Sequence, residues 1–216
     1  CSFCQTPRIF QKIRERSLLY AARYAGCLLE SGRNLVYFTL PDALSFGSAE
    51  SEVNLGSIRG LFELLRGMGM KINFGMFPSE ISPGRLARCP EAAALMKKYI
   101  VNTKVSLGGQ SGSRNVLERM RRDHTVEDIA DSAKILNETG LTPMIDILLG
   151  TPGETRSERR ESLDMIKRLG IEHKARFNLH YFMPLPGTPF SGMPPEQIEE
   201  NIKEEIRGFF RSGLAI

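Results

Sequence analysis

Cysteine is scarce in this chain: there are four among 216 residues, at positions 1, 4, 27 and 89. Four thiols so unevenly spaced cannot build the disulfide framework of a small secreted protein, and a reducing, cytoplasmic setting is expected. Long apolar runs are missing too. A membrane-spanning helix needs about 18 or more consecutive apolar residues, and the best stretch, 18–29, is broken by Arg23; no membrane partner is expected. Charge is nearly balanced, 29 Lys and Arg against 25 Asp and Glu, for a net +4. That excess is too mild to argue for nucleic acid. The arginine run at 114–122 motivates a nucleic-acid module as a minor alternative, but no aromatic-interleaved basic patch supports it, so nucleic acid is an unlikely partner. An initiator methionine and a signal peptide are lacking as well. The chain opens on Cys1 with no strand ahead of it, and it reads as a fragment of a longer protein.

What is present fits one globular domain over 1–216. Hydrophobic residues make up 41% and charged residues 25%, inside the ordinary globular range, and the length suffices to bury a core without staples. Strand patterns, rich in β-branched and aromatic residues, fall at 34–41, 70–77, 102–107, 143–149 and 175–183. Helical spacing of apolar residues marks 10–29 (including Ile13), 57–67, 83–99 with a break at Pro90, 125–139, 155–169 and 194–210. Thr125 with Asp128 forms a capping-box pattern, Gly140 closes that helix, and Gly170 is expected to close the next. Strand starts lie about 30 to 40 residues apart, the length of one βα unit. The fold class is therefore α/β with a parallel sheet. A partly closed βα barrel and a doubly wound sheet both satisfy this spacing, and either places chemistry at the C-terminal strand ends.

Those ends are polar and glycine-rich: Leu40-Pro41-Asp42, Pro78-Ser79-Glu80, Gly108-Gly109-Gln110-Ser111-Gly112-Ser113, Gly150-Thr151-Pro152-Gly153-Glu154-Thr155 and Met183-Pro184-Leu185-Pro186-Gly187. Singly, each is an ordinary turn or helix cap. Five on one rim suit a large ligand lying across it, and two of them open into helix starts that suit a carboxylate or hydroxyls. The sharpest chemical feature is Cys1-Ser2-Phe3-Cys4, whose spacing lets two thiolates serve one metal centre. A thioredoxin-like pair, half a zinc site, or two unrelated cysteines are the alternatives. Cys27 and Cys89 sit among apolar neighbours in helical patterns and are expected to be buried core thiols.

The segment CSFC resembles the last two cysteines of the CxxxCxxC motif of radical S-adenosylmethionine (SAM) enzymes. GGQSGSRNVLERMRRDHT (108–125) and DILLGTPGET (146–155) resemble segments of the methylthiotransferases and of the cobalamin-domain branch of that superfamily. FMPLPGTP (182–189) resembles the sixth-strand ending of the cobalamin-domain branch. The motifs run in family order along essentially the whole chain.

The resemblance implies a partial (βα)6 parallel barrel, missing its first strand here, and a [4Fe–4S] cluster with one iron open to SAM. Reductive cleavage of SAM to a 5′-deoxyadenosyl radical would follow, with a flavodoxin or ferredoxin as electron donor and a small-molecule substrate of unread identity. Carried over by position, Cys1 and Cys4 would be cluster ligands. Phe3 would approach the adenine, Asp42 stands where the amino group of SAM is received, and Glu80 faces SAM. Gln110, Ser111 and Ser113 would meet its ribose or carboxylate, and Arg122 would pair with that carboxylate. Asp146 and the Met183 to Leu185 stretch would border the adenine and the cavity. The first cluster cysteine would lie four positions before Cys1, so the fragment alone is expected to be inactive. Two transfers compete: cobalamin-linked methyl transfer through a missing upstream domain, which the 182–189 ending favours, and methylthio transfer onto tRNA or a ribosomal protein. A cluster-less SAM- or nucleotide-binding barrel is the non-catalytic alternative.

Overall fold

The structure is a computed structural model that describes residues 1–10, 14–48 and 52–216. In chain order come α1 (Thr6–Ile9), α2 (Leu18–Glu30), β1 (Leu35–Val36), a 3-10 turn (Ala43–Ser45), α3 (Leu55–Gly67), β2 (Lys71–Ile72), α4 (Pro83–Arg88) and α5 (Glu91–Tyr99). Then follow β3 (Lys104–Gln110), α6 (Arg114–Arg119), α7 (Val126–Glu138), β4 (Thr142–Leu149), α8 (Arg156–Glu172), β5 (Arg176–Tyr181) and α9 (Glu200–Arg211).

Every strand pairing is parallel. β1 pairs with β2, β3 with β4, and β4 with β5. The two sheets are joined through the irregular stretch after β2. There, Val101 N donates to the Ile72 carbonyl, Ser106 N to that of Gly75, and Ile81 N to that of Ser106. Bridges Ile72–Ile100 and Ile81–Leu107 mark the same seam. Each strand thus lies beside its predecessor in sequence. A doubly wound sheet reverses direction at a switch point; this order never does, so the fold is a partial βα barrel.

Alternation along the strands separates two faces. Val105, Leu107, Ile145, Ile147, Leu149 and Phe177 point into the main core, packed under the helices with Ile129, Ala133, Leu163 and Ile166. Gln110, Asp146, Leu148 and His180 line a cavity on the opposite, inner face.

Several elements depart from the sequence pattern. The hydrogen-bonded parts of the first two strands shrink to two residues each, because the segments after them bend away from the ladder. The 10–29 pattern resolves into α2 only from Leu18, capped by the Ser17 hydroxyl; the expected contribution of Ile13 lies outside the described residues. α2 buries only Ala25, leaving Tyr20 and Tyr24 exposed. Cys27 on that helix is exposed and Cys89 half-buried, so neither is the core thiol expected. α8 runs through Gly170 rather than stopping there. A Cβ at Gly170 would meet Leu214 Cδ1 at 2.3 Å, so this glycine serves a close crossing of the chain end. The break at Pro90 and the Thr125/Asp128 capping box are as expected, and Thr155 with Glu158 forms a second capping box.

The segment after α9 also returns to the sheet. Phe177 N donates to the Leu214 carbonyl and Ile216 N to that of Phe177, placing 214–216 parallel beside β5. Among the described residues no helix is long and apolar enough to cross a membrane.

Candidate active site

The CSFC segment is docked at the barrel mouth by its middle residues. Ser2 is buried; its N–H donates to the Met120 carbonyl (2.8 Å) and its hydroxyl to that of Arg119 (2.9 Å). Phe190 N donates back to the Ser2 carbonyl, and the Gln5 amide reaches the Pro186 carbonyl. Phe3 packs against a small cluster of Val116, Met120, Phe182 and Phe190. Cys1 is exposed and Cys4 half-buried, both as free thiols.

Arg122 stands beside them. Arg121 takes a left-handed conformation (φ 55) just after α6, a turn that ends helices and directs the chain back over β3. Arg122 then donates through Nη1 to Cys1 Sγ (2.9 Å) and through Nη2 to the Gly108 carbonyl (3.0 Å). Its Nε is buried without a partner, and among the described residues no carboxylate lies within ion-pair distance of it. Burial pushes its pKa down, against the pull of Asp123, Glu80, Asp42 and Cys4. A half-buried cation with a spare, enclosed donor is a place for an anion.

Beyond Arg122 a cavity of about 310 Å³ opens, lined by Phe3, Glu80, Gln110, Asp146, Leu148, His180, Tyr181, Phe182, Met183 and Leu185. Six positions named from the sequence meet here: Phe3, Glu80, Gln110, Asp146, Met183 and Leu185. Gln110 ends β3 with φ 69, a conformation costly for a side-chain-bearing residue and concentrated at functional sites. Asp146 is buried; its Oδ1 accepts the Asn178 amide (2.7 Å) and lies 3.7 Å from His180 Nε2. Glu80 is pushed up to about 8, first by burial and then by the charge of Asp146 beside it, with Arg122 pulling the other way. Glu80 is therefore a protonated carboxylic acid on the inner wall near neutral pH.

The remaining positions are placed elsewhere. Asp42 caps the 3-10 turn, accepts from Ser82 N and pairs with Arg85 (2.7 Å); burial raises its pKa in spite of that partner. Ser111 is fully buried with its hydroxyl against that of Ser162 (3.1 Å), which ties β3 to α8. Ser113 precedes α6 but makes no capping bond, and its hydroxyl is buried without a partner, as is that of Thr151.

The glycines of both loops answer to packing. A Cβ at Gly109 would meet Ile145 Cγ2 at 2.7 Å, and one at Gly112 would meet Ser162 Cα at 2.7 Å. In the second loop Glu154 turns inward: its Oε2 accepts from Gly150 N and faces Arg159 Nε (3.4 Å), which also pairs with Glu199. Motif spacing alone did not expose the roles of Ser2 and Arg159. Alternation marks Asn178 and His180 as candidates for the barrel interior without telling inner face from outer, and the structure puts Asn178 on Asp146 and His180 in the cavity wall.

Two thiols on one docked loop, a half-buried arginine at their side and a polar cavity at the strand ends of a partial barrel are the features of a cofactor-dependent barrel enzyme. The radical SAM superfamily pattern matches residues 1–166, and the chain belongs to that superfamily of enzymes. It is 39% identical over 210 residues to a threonylcarbamoyladenosine tRNA methylthiotransferase of Bacillus subtilis, covering 95% of this chain and 44% of that protein. The chain spans less than half the length of the curated relatives it matches, 38% of one from Methanopyrus kandleri. Among solved structures, methylornithine synthase superposes with a TM-score of 0.66 at 15% identity, over 100% of this chain and 59% of that one. A radical SAM methyltransferase from Kitasatospora setae, solved with cobalamin and a [4Fe–4S] cluster, gives 0.60 at 17%, over 82% and 31%. These likenesses show the shared fold.

Proposed function

We propose that residues 1–216 form the core of a radical SAM enzyme that cleaves SAM reductively at the barrel mouth. The observation that carries this reading is Arg122, half-buried and bonded to Cys1 Sγ, next to the Glu80 that walls the cavity with Asp146. The donor set fits the cofactors. Thiolates are the ligands iron–sulfur clusters take, so Cys1 and Cys4 would hold the cluster. The free Nε of Arg122 and the unpartnered Ser113 hydroxyl offer donors to a carboxylate and to ribose oxygens.

When bound, the cluster and SAM supply one-electron cleavage of the sulfonium to methionine and a 5′-deoxyadenosyl radical. Arg122 binds and orients the carboxylate end. Phe3, Met183 and Leu185 exclude water from the cavity, and Gln110 supplies a polar contact at its rim. The electron enters from a flavodoxin- or ferredoxin-like donor in the cytoplasm.

Of the two group transfers, methylthio transfer is favoured by the 39% identity to a tRNA methylthiotransferase. Cobalamin-linked methyl transfer to a small molecule rests on the 182–189 ending and on a shared fold. The test is anaerobic incubation of the cluster-loaded full-length protein that contains this chain with SAM and dithionite, with 5′-deoxyadenosine read by mass spectrometry. Cleavage that is lost in Cys4→Ala and falls at least about tenfold in Arg122→Met, as one charge-assisted hydrogen bond warrants, is the expected result. An intact cluster without cleavage overturns the reading.

A further inference from the structure

We propose that His124 is a positioning residue: through the Gly109 carbonyl it holds the turn that aims the Gln110 side chain into the cavity, and it thereby tunes the affinity for SAM. This rests on the radical SAM reading above and adds to it a residue that lies outside the cavity.

His124 is buried, with no exposed side-chain surface. Its Nε2 lies 3.1 Å from the Gly109 carbonyl oxygen; a carbonyl only accepts, so Nε2 carries the hydrogen. Nδ1 is buried without a hydrogen-bond partner, 3.6 Å from Asp123 Oδ1. Leaving a ring nitrogen buried and unpaired costs free energy that an apolar side chain of similar size does not incur. What the imidazole supplies in return is the bond to Gly109.

That carbonyl is the pivot of a strained turn. Ser111 N also donates to it (2.9 Å), closing a three-residue turn around Gln110. With φ 69 at Gln110 this is the rare, strained form of such a turn. The register of β3 on β4 shifts at the same place, between Leu107 and Gln110. A residue with a side chain persists in that conformation only where its surroundings over-determine it.

Here they do so from two sides. Gly109 lies against β4, where a Cβ on it would meet Ile145 Cγ2 at 2.7 Å. Opposite, Arg122 Nη2 donates to the Gly108 carbonyl (3.0 Å) and His124 to that of Gly109, so alternate residues of one connecting segment hold consecutive carbonyls. The segment has fixed ends: left-handed Arg121 after α6, and the Thr125 capping box that starts α7. α4 backs it, since a Cβ on Gly84 would meet the Asp123 carbonyl oxygen at 3.1 Å and His124 Cβ at 3.2 Å. Gln110 lines the cavity and His124 does not, so the histidine reaches a ligand there only through the turn.

The test measures SAM binding by anaerobic equilibrium dialysis, without reductant so that the ligand is not consumed, on the cluster-loaded full-length protein that contains this chain. The variants are Gln110→Ala, His124→Leu, the double variant, His124→Gln and His124→Asn. Glutamine places an N–H donor about where Nε2 stands, whereas the asparagine amide reaches only as far as Nδ1. Gln110→Ala, His124→Leu and His124→Asn should each weaken binding about three- to tenfold, the range one neutral hydrogen bond supports. The double variant should bind no more weakly than Gln110→Ala, and His124→Gln should stay within about twofold of wild type. A histidine that merely fills space would give none of this pattern. Losses that add in the double variant overturn the inference, because His124 would then act by a route other than Gln110. Wild-type affinity in Gln110→Ala, or in His124→Asn, overturns it as well; the asparagine variant decides if the leucine one does not fold. Each of these outcomes leaves the radical SAM reading standing, whereas failure of the wild type to bind SAM removes that reading and the inference with it.

Discussion

Glu80 is a carboxylic acid kept protonated by its surroundings, and that state has a measurable signature. Its folded pKa of about 8 lies above the ordinary carboxyl value of 4.5, mainly because burial penalises the charge. The stability contributed by the protonated form is complete at low pH and is lost as pH rises from 4.5 towards 8. Infrared difference spectra of the ligand-free protein at pH 6.5 and 9 should show a protonated carboxyl band that disappears at the higher pH and is absent in Glu80→Gln. The same variant should melt above wild type at pH 9 and no higher than wild type at pH 5, with about 2–4 °C for each kcal/mol in a domain of this size. Burial was the part hidden from the sequence. Glu80 could be placed after a strand, but nothing in Pro78-Ser79-Glu80 says that Asp146, 66 positions later in a different strand, would share its wall.

At the level of elements, two glycines that look alike in the sequence have opposite expected costs. Gly112 faces the backbone of α8, with Ser162 Cα at 2.7 Å and the Glu161 carbonyl oxygen at 2.8 Å from a Cβ. Gly112→Ala must push the helix away from the end of β3, and a loss of about 1–3 kcal/mol or more is expected in urea unfolding. Gly170 meets the tip of the Leu214 side chain, which can rotate, and alanine gains up to about 1 kcal/mol of helix propensity. Gly170→Ala should fall within about 1 kcal/mol of wild type. The capping box Thr125/Asp128 was legible because a cap is local: four consecutive residues carry it. α6 was read only as a helix start after Ser113, without bounds, since six residues, RNVLER, carry too few apolar positions to set a period. The first two strands were overread for a related reason. Apolar composition marks a segment as inner, while the length of its ladder depends on neighbours that the segment does not contain.

For the whole molecule, the largest fully buried side chain is a charged one. Arg159 joins Glu154 of the loop after β4 to Glu199 at the start of α9, and so links barrel, loop and the last helix. Arg159→Met leaves Glu154 buried without its cation, and breaking such a pair costs about 3–5 kcal/mol. Glu154 is already raised by burial, with Arg159 among the groups holding it down. Without the arginine it gains a proton more readily, so the loss should be greater at pH 8 than at pH 5, measured as urea midpoints at both. The βα rhythm that announced the fold class was visible throughout the chain. The choice between barrel and doubly wound sheet became clear only from pairings such as Ile81 N to Ser106 O, which no local pattern encodes.

The order of the strands carries a further consequence, for how the chain comes to be folded. Because each of β2 to β5 docks against the strand made just before it, every new pairing spans about one βα unit of sequence. Loop-closure costs stay small, and contacts of short sequence separation form early and fast. On the ribosome, each unit has its partner waiting when it emerges. The rim that gathers Cys1, Glu80, Asp146 and Met183 is therefore completed only after the last strand has arrived.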